Sequence, residues 1–119
     1  MVGDMKAKID FVTNSSSTAF IITNNNNKKD LSLVDFVNEN PQLIKEYVKY
    51  YGYGDNKDYT QEMLIESAEE NNSIIEAGES KYVIFGDEDG TLIGEVFDYI
   101  LREGGKSKNF TWEFAEYLR

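Results

Sequence analysis

Apolar residues in this chain recur with two different periods, and neither runs long enough to build a repeat or approach the ~18 apolar residues of a membrane span. Residues 19–23 (AFIIT) and 82–85 (YVIF) are short β-branched and aromatic runs, while Phe110, Trp112 and Phe114 alternate with Thr111 and Glu113. Between them, Leu43, Ile44, Tyr47, Val48 and Tyr51 recur at helical spacing. So do Leu64, Ile65 and Ala68, and then Leu92, Ile93, Val96, Phe97, Ile100 and Leu101. Strand-like and helical runs interspersed over 119 residues predict an α+β fold, with residues 1–119 as a single domain around one core. Sixteen aromatics (seven Phe, eight Tyr, one Trp) supply enough apolar material to fold despite the charge.

Turn and cap residues set the expected boundaries. Residues 8–12 alternate polar and apolar, residues 13–18 (TNSSST) are turn-rich, and residues 19–23 follow as an apolar strand, which predicts an N-terminal hairpin. Residues 24–27 are four asparagines, which compete with regular structure by bonding their own backbone, so a polar loop is expected there. Asp30 or Ser32 caps a short helix through Val37, and Asn40 caps a second with Pro41 at its first position and Gly52 at its end. Thr60 caps a third helix through about Asn71. A strand near 81–85 stops at Gly86-Asp-Glu-Asp-Gly90, Asp89 caps the fourth helix, and Gly104 and Gly105 end it. Residues 110–114 read as a last strand, with a short helix from Thr111 as the rival. The expected architecture is about four helices on one side of a small mixed or antiparallel sheet.

Charge is concentrated rather than spread. Residues 60–103 hold twelve acidic residues against Lys81 and Arg102, a net of −10 that equals the charge of the whole chain. On the third helix Glu62, Glu66, Glu69 and Glu70 fall opposite the apolar residues, and on the fourth Glu95 and Asp98 do the same. Successive turns are ~5.4 Å apart, of the order of the ~3.4 Å between phosphates along one DNA strand, so such a row imitates a nucleic-acid backbone. Like charges one turn apart cost ~0.2–0.5 kcal/mol per pair, which gives the row a reason to be kept for binding. Read without a partner, the same row is a solvated face that aids solubility.

Five of the eight tyrosines lie in residues 47–59 among Lys45, Lys49 and Lys57, whose charges Glu46, Asp55 and Asp58 cancel. That removes the attraction single-stranded nucleic acid needs. Tyr47 and Tyr51 read as core, and Tyr50, Tyr53 and Tyr59 as candidates for a protein contact.

The absences are equally specific. With no cysteine and no histidine, disulfides, thiolate chemistry, Cys-based metal sites and Ser-His-Asp, Cys-His or HExxH catalysis are excluded. Asp87, Glu88, Asp89 and Glu95 offer oxygen ligands, but an EF-hand register through Gly90 puts Phe85 and Val96 at the two indispensable carboxylate positions. Gly104-Gly-Lys-Ser107 matches the end of a phosphate loop, yet the leading glycine falls at Ile100 and the run follows a helix instead of opening one. No metal or cofactor is expected. A nucleophile among Ser15, Ser16 and Ser17 would need Lys6, Lys8 or a carboxylate as its base, outside any Ser-Lys signature.

Residues 9–22 (IDFVTNSSSTAFII) resemble the N-terminal FVTNSSSSSF segment of many small uncharacterised bacterial and phage or mobile-element proteins. The resemblance covers about fourteen residues and departs at Thr18 and Ala19, where that group continues with serine. It implies a mobile-element origin and carries over no catalytic residue. Taken together, the expectation is a non-enzymatic, cytoplasmic, acidic protein-binding module, an anti-CRISPR-like inhibitor that occupies a basic nucleic-acid-binding surface of a host protein. Its contact residues are expected to be Glu62, Glu66, Glu69, Glu70, Glu95, Asp98, Tyr50 and Tyr53, with no direct nucleic acid and no membrane. The alternatives are a self-associating assembly subunit and a hydrolase using carboxylates or a Ser-Lys pair.

Overall fold

Ser17–Asn24 forms β1, with Thr18, Phe20, Ile22 and Asn24 buried on one side. The computed structural model describes residues 17–52, 58–86 and 91–118. Both edges of β1 are filled by strands from far along the chain, antiparallel β4 (Ser80–Gly86) and antiparallel β6 (Phe110–Leu118). A short β5 (Gly105–Lys106) extends the far side of β6, giving the order β4-β1-β6-β5, antiparallel throughout. Leu31–Ser32 (β2) and Ile74–Ile75 (β3) make a separate two-stranded pair.

The N-terminal hairpin expectation is corrected here. Residues 8–12 lie outside the described residues, and β1 has no free edge on which residues 19–23 could take a hairpin partner. Ser17 and Thr18, read as turn, are strand residues opposite Gly86 and Phe85. The sheet's tight hairpin is instead β5–β6, closed by the Ser107 N–H donating to the Phe110 carbonyl at 2.8 Å. The last segment is a strand, not a helix.

Among the described residues four helices share the core with the face of the sheet that carries Phe20 and Ile22: α1 (Leu33–Glu39), α2 (Gln42–Tyr51), α3 (Gln61–Glu70) and α4 (Leu92–Ile100). Ser32 caps α1 through a capping box, accepting from the Asp35 N–H at 3.2 Å while Asp35 accepts from the Ser32 N–H at 2.9 Å. Asn40 closes α1 rather than opening α2. Its amide donates to the Phe36 carbonyl at 2.9 Å and its carbonyl oxygen accepts from Gln42 Nε2 at 3.1 Å, so Pro41 stands at the α2 cap without a side-chain bond. Thr91 caps α4, and Asp89, expected in that role, lies outside the described residues.

Phe36 of α1 is the hub of the core. Its ring meets Phe97 at 5.5 Å, Phe110 at 5.1 Å and Trp112 at 5.2 Å, each edge-on, so one short helix ties α4 and β6 together. The asparagine run behaves as its chemistry requires. The side chain of buried Asn24 donates to the Lys29 and Ile75 carbonyls and accepts from the Asn26 N–H, which fixes the loop beside β3. Gly78, at φ 71°, donates to the Asn26 carbonyl in a backbone conformation that other residues rarely adopt.

Candidate acidic binding surface

Helix α3 is a fixed platform. Thr60 Oγ1 accepts from the Met63 N–H at 3.2 Å, and Leu64 and Ala68 are fully buried. Ser67 Oγ accepts from the Ile93 N–H at 2.9 Å, joining α3 to the start of α4, while Gln61 Nε2 donates to the Val37 carbonyl at 2.9 Å at the end of α1. The residues facing the core therefore leave a single opposite stripe.

That stripe is Glu62, Glu66, Glu69 and Glu70, all exposed. At ~100° per residue the four fall within about 100° of the helix circumference. Among the described residues none of the four carboxylates has a hydrogen-bond or ion-pair partner. Local energetics oppose the arrangement: Glu62 and Glu66, and Glu66 and Glu70, repel one turn apart, and Glu69 and Glu70 sit in a last turn that carries no basic residue.

Helix α4 does not extend this stripe, which corrects the expectation for Glu95 and Asp98. Asp98 is fully buried, accepting from Thr18 Oγ1 of β1 at 2.5 Å and from Arg102 at 3.2 Å. Its second carboxylate oxygen is buried without a partner among the described residues. Arg102 is held in turn by the Asp98 carbonyl at 2.6 Å and lies over the rings of Tyr99 and Tyr117 at 4.8 and 5.2 Å. Glu95 is half-buried and accepts from the Tyr47 hydroxyl at 2.6 Å, pinning α2 to α4. Both acids are fold residues.

The tyrosines divide likewise. Tyr47 is buried as expected, and Tyr59 stacks on it at 6.1 Å and 14°, so Tyr59 belongs to the packing and not to an open contact surface. Tyr50 is 60% exposed, and Tyr53 lies outside the described residues. Asp87, Glu88 and Asp89 also lie outside them, and among the described residues no group of three or more His, Cys, Asp or Glu converges as a metal site.

Glu39 carries a role that no neighbouring residue signals. It accepts from the Ser107 hydroxyl, from the Asn109 N–H at 2.8 Å and from Asn109 Nδ2 at 2.8 Å, locking the β5–β6 hairpin to the end of α1. Burial pushes its pKa up, but these donors and the charge of Lys108 outweigh that and hold the carboxyl below its ordinary 4.5. The partners lie about seventy positions away, so no local pattern announces them. On the outer face of the sheet the Tyr82 hydroxyl donates to Glu116 at 2.8 Å, a bond that raises the phenol above its ordinary value and links β4 to β6 across β1. No protein-family model, no curated protein and no solved structure matches this chain.

Proposed function

We propose that the protein is a small acidic binding module whose α3 face docks on a basic protein surface of the kind that holds nucleic acid, as a cytoplasmic mobile-element inhibitor would. One observation carries the reading: four exposed carboxylates share one stripe of a well-anchored helix and have no partner among the described residues, although their spacing disfavours the helix. A protein gains association rate and orientation, more than raw affinity, from such a patch. The likeness of residues 9–22 to a segment of mobile-element proteins supports the setting. The contact set is Glu62, Glu66, Glu69 and Glu70; Glu95 and Asp98 position the helices behind it.

The test is capture by the immobilised chain from bacterial lysate at low and high salt, read by mass spectrometry, in parallel with a chain carrying Glu62→Gln, Glu66→Gln, Glu69→Gln and Glu70→Gln. The partner expected is released by salt, displaced by duplex DNA and lost from the Gln chain. Equal capture by both chains removes the reading. Exposed Tyr82 and Ile84 on the edge strand β4 favour a second reading, self-association, which sedimentation checks: a monomer at high concentration disposes of it.

A further inference from the structure

We infer that the open edge of β4, with the groove beside it, is a docking site for an extended peptide segment of another protein, apolar at alternate positions, which joins the sheet as a further strand. This site is separate from the α3 stripe and does not depend on it.

Strand β4 ends its side of the sheet, paired with β1 and with no other strand. The Asn24 N–H donates to the Glu79 carbonyl at 2.9 Å, one step beyond the Thr23–Ser80 pair. Main-chain bonding in an antiparallel ladder alternates, so Lys81, Val83 and Phe85 direct theirs to β1, and the N–H and C=O of Tyr82 and Ile84 point the other way. Among the described residues no hydrogen bond reaches those four groups. An extended main chain is the partner that answers donors and acceptors at this spacing. The devices that guard such edges are missing from β4. It has no proline, its register with β1 runs from Ser80 to Gly86 without a bulge, and its one lysine, Lys81, reaches to the Ile74 carbonyl at 3.3 Å.

Beside this edge runs a groove of about 410 Å³. Leu33, Val83, Phe85 and Ile93 give it an apolar floor, and among the described residues no carboxylate lines it, although the chain carries a charge of −10. A strand laid along β4 turns every second side chain into the groove and the others towards half-exposed Tyr82 and Ile84. Lys81 is the one charge in the lining, which suits an acidic residue at that end of the peptide. A second copy of the chain fits less well. Its own Val83 and Phe85 are buried in its core and cannot enter the groove, and two chains of charge −10 repel.

The experiment adds a synthetic heptapeptide of alternating valine and threonine, ending in glutamate, to the isotope-labelled full chain up to millimolar concentration. A saturable shift of the Tyr82 and Ile84 amide signals is expected, with their hydrogen exchange slowed about tenfold. The same peptide with N-methylated amides keeps its side chains but loses its donors, and should bind about tenfold more weakly. Ile84→Pro removes one open N–H without touching the β1 ladder and should weaken binding about fivefold, with its melting curve recorded alongside. The chain neutralised at Glu62, Glu66, Glu69 and Glu70 should bind as the parent does. The assignment is overturned by no saturable shift at the two amides, by equal binding of the N-methylated peptide, by full binding to a folded Ile84→Pro chain, or by loss of binding to the α3-neutralised chain. A parent that sediments as a dimer until Ile84→Pro is introduced overturns it too, by giving the edge to a second copy. Should Ile84→Pro fail to fold, the N-methylated peptide decides on the parent chain alone.

Discussion

Helices α3 and α4 carry acidic residues opposite their apolar stripes, yet the fold treats the two sets in opposite ways. Every glutamate of the α3 stripe is exposed and without a partner among the described residues, whereas on α4 Asp98 is sealed against Thr18 and Arg102 and Glu95 is taken by Tyr47. The reason is layering. Helix α4 packs against β4 as well as against α2 and α3, so little of its circumference is left for solvent. Helix α3 packs chiefly against α1 and α4 and, among the described residues, keeps the glutamate side exposed. A surplus of carboxylates therefore says how much negative charge a region holds, while the layer in which each helix sits decides which of it another molecule can touch.

Substitutions separate the two helices most clearly. Asp98→Ala should cost about 3 kcal/mol, because Thr18 and Arg102 lose a buried charged acceptor, and it should appear as a large fall in the denaturation midpoint. A midpoint unchanged by that substitution would put Asp98 back on the surface and break the comparison. Tyr47→Phe removes the hydroxyl that holds Glu95 and should cost about 1 kcal/mol by the same measurement.

Glu39 offers a pH test on a third, hairpin-locking carboxylate. Its folded pKa lies below the ordinary 4.5, so its contribution is fully present above that value and is lost as pH falls through the lower, folded pKa. Glu39→Gln should flatten this part of the stability–pH curve on the acid side. An identical acid limb in the variant would show that the Ser107 and Asn109 bonds do not distinguish the folded carboxylate. The smallest effect is expected on α3, where neutralising Glu62, Glu66, Glu69 and Glu70 should leave stability unchanged or raise it by about 0.5–1 kcal/mol through relief of repulsion.

Much of this arrangement was legible from local chemistry. Ser32 and Thr60 cap helices because their hydroxyls accept from the N–H three residues further on, and the asparagine run makes a side-chain-bonded loop. The α3 stripe was readable too, since it follows from helical period alone. What failed depended on partners distant in sequence. Nothing near residues 19–23 reveals that both edges of that strand are taken by β4 and β6, so the turn-rich run before it looked like a hairpin. Asp98 has the spacing of a surface residue, and its buried partner Thr18 lies eighty positions away, where no local pattern reveals it. Asn40 has the chemistry of a cap for α2, but the Phe36 carbonyl competes for its amide.

The most direct test of the central claim compares the parent and the α3-neutralised chain for binding to the basic partner that the parent captures, with both melting curves recorded alongside. Binding should weaken by about tenfold or more while the melting midpoint holds or rises slightly. Undiminished binding by the neutralised chain, with its fold intact, would contradict the assignment of α3 as the docking face.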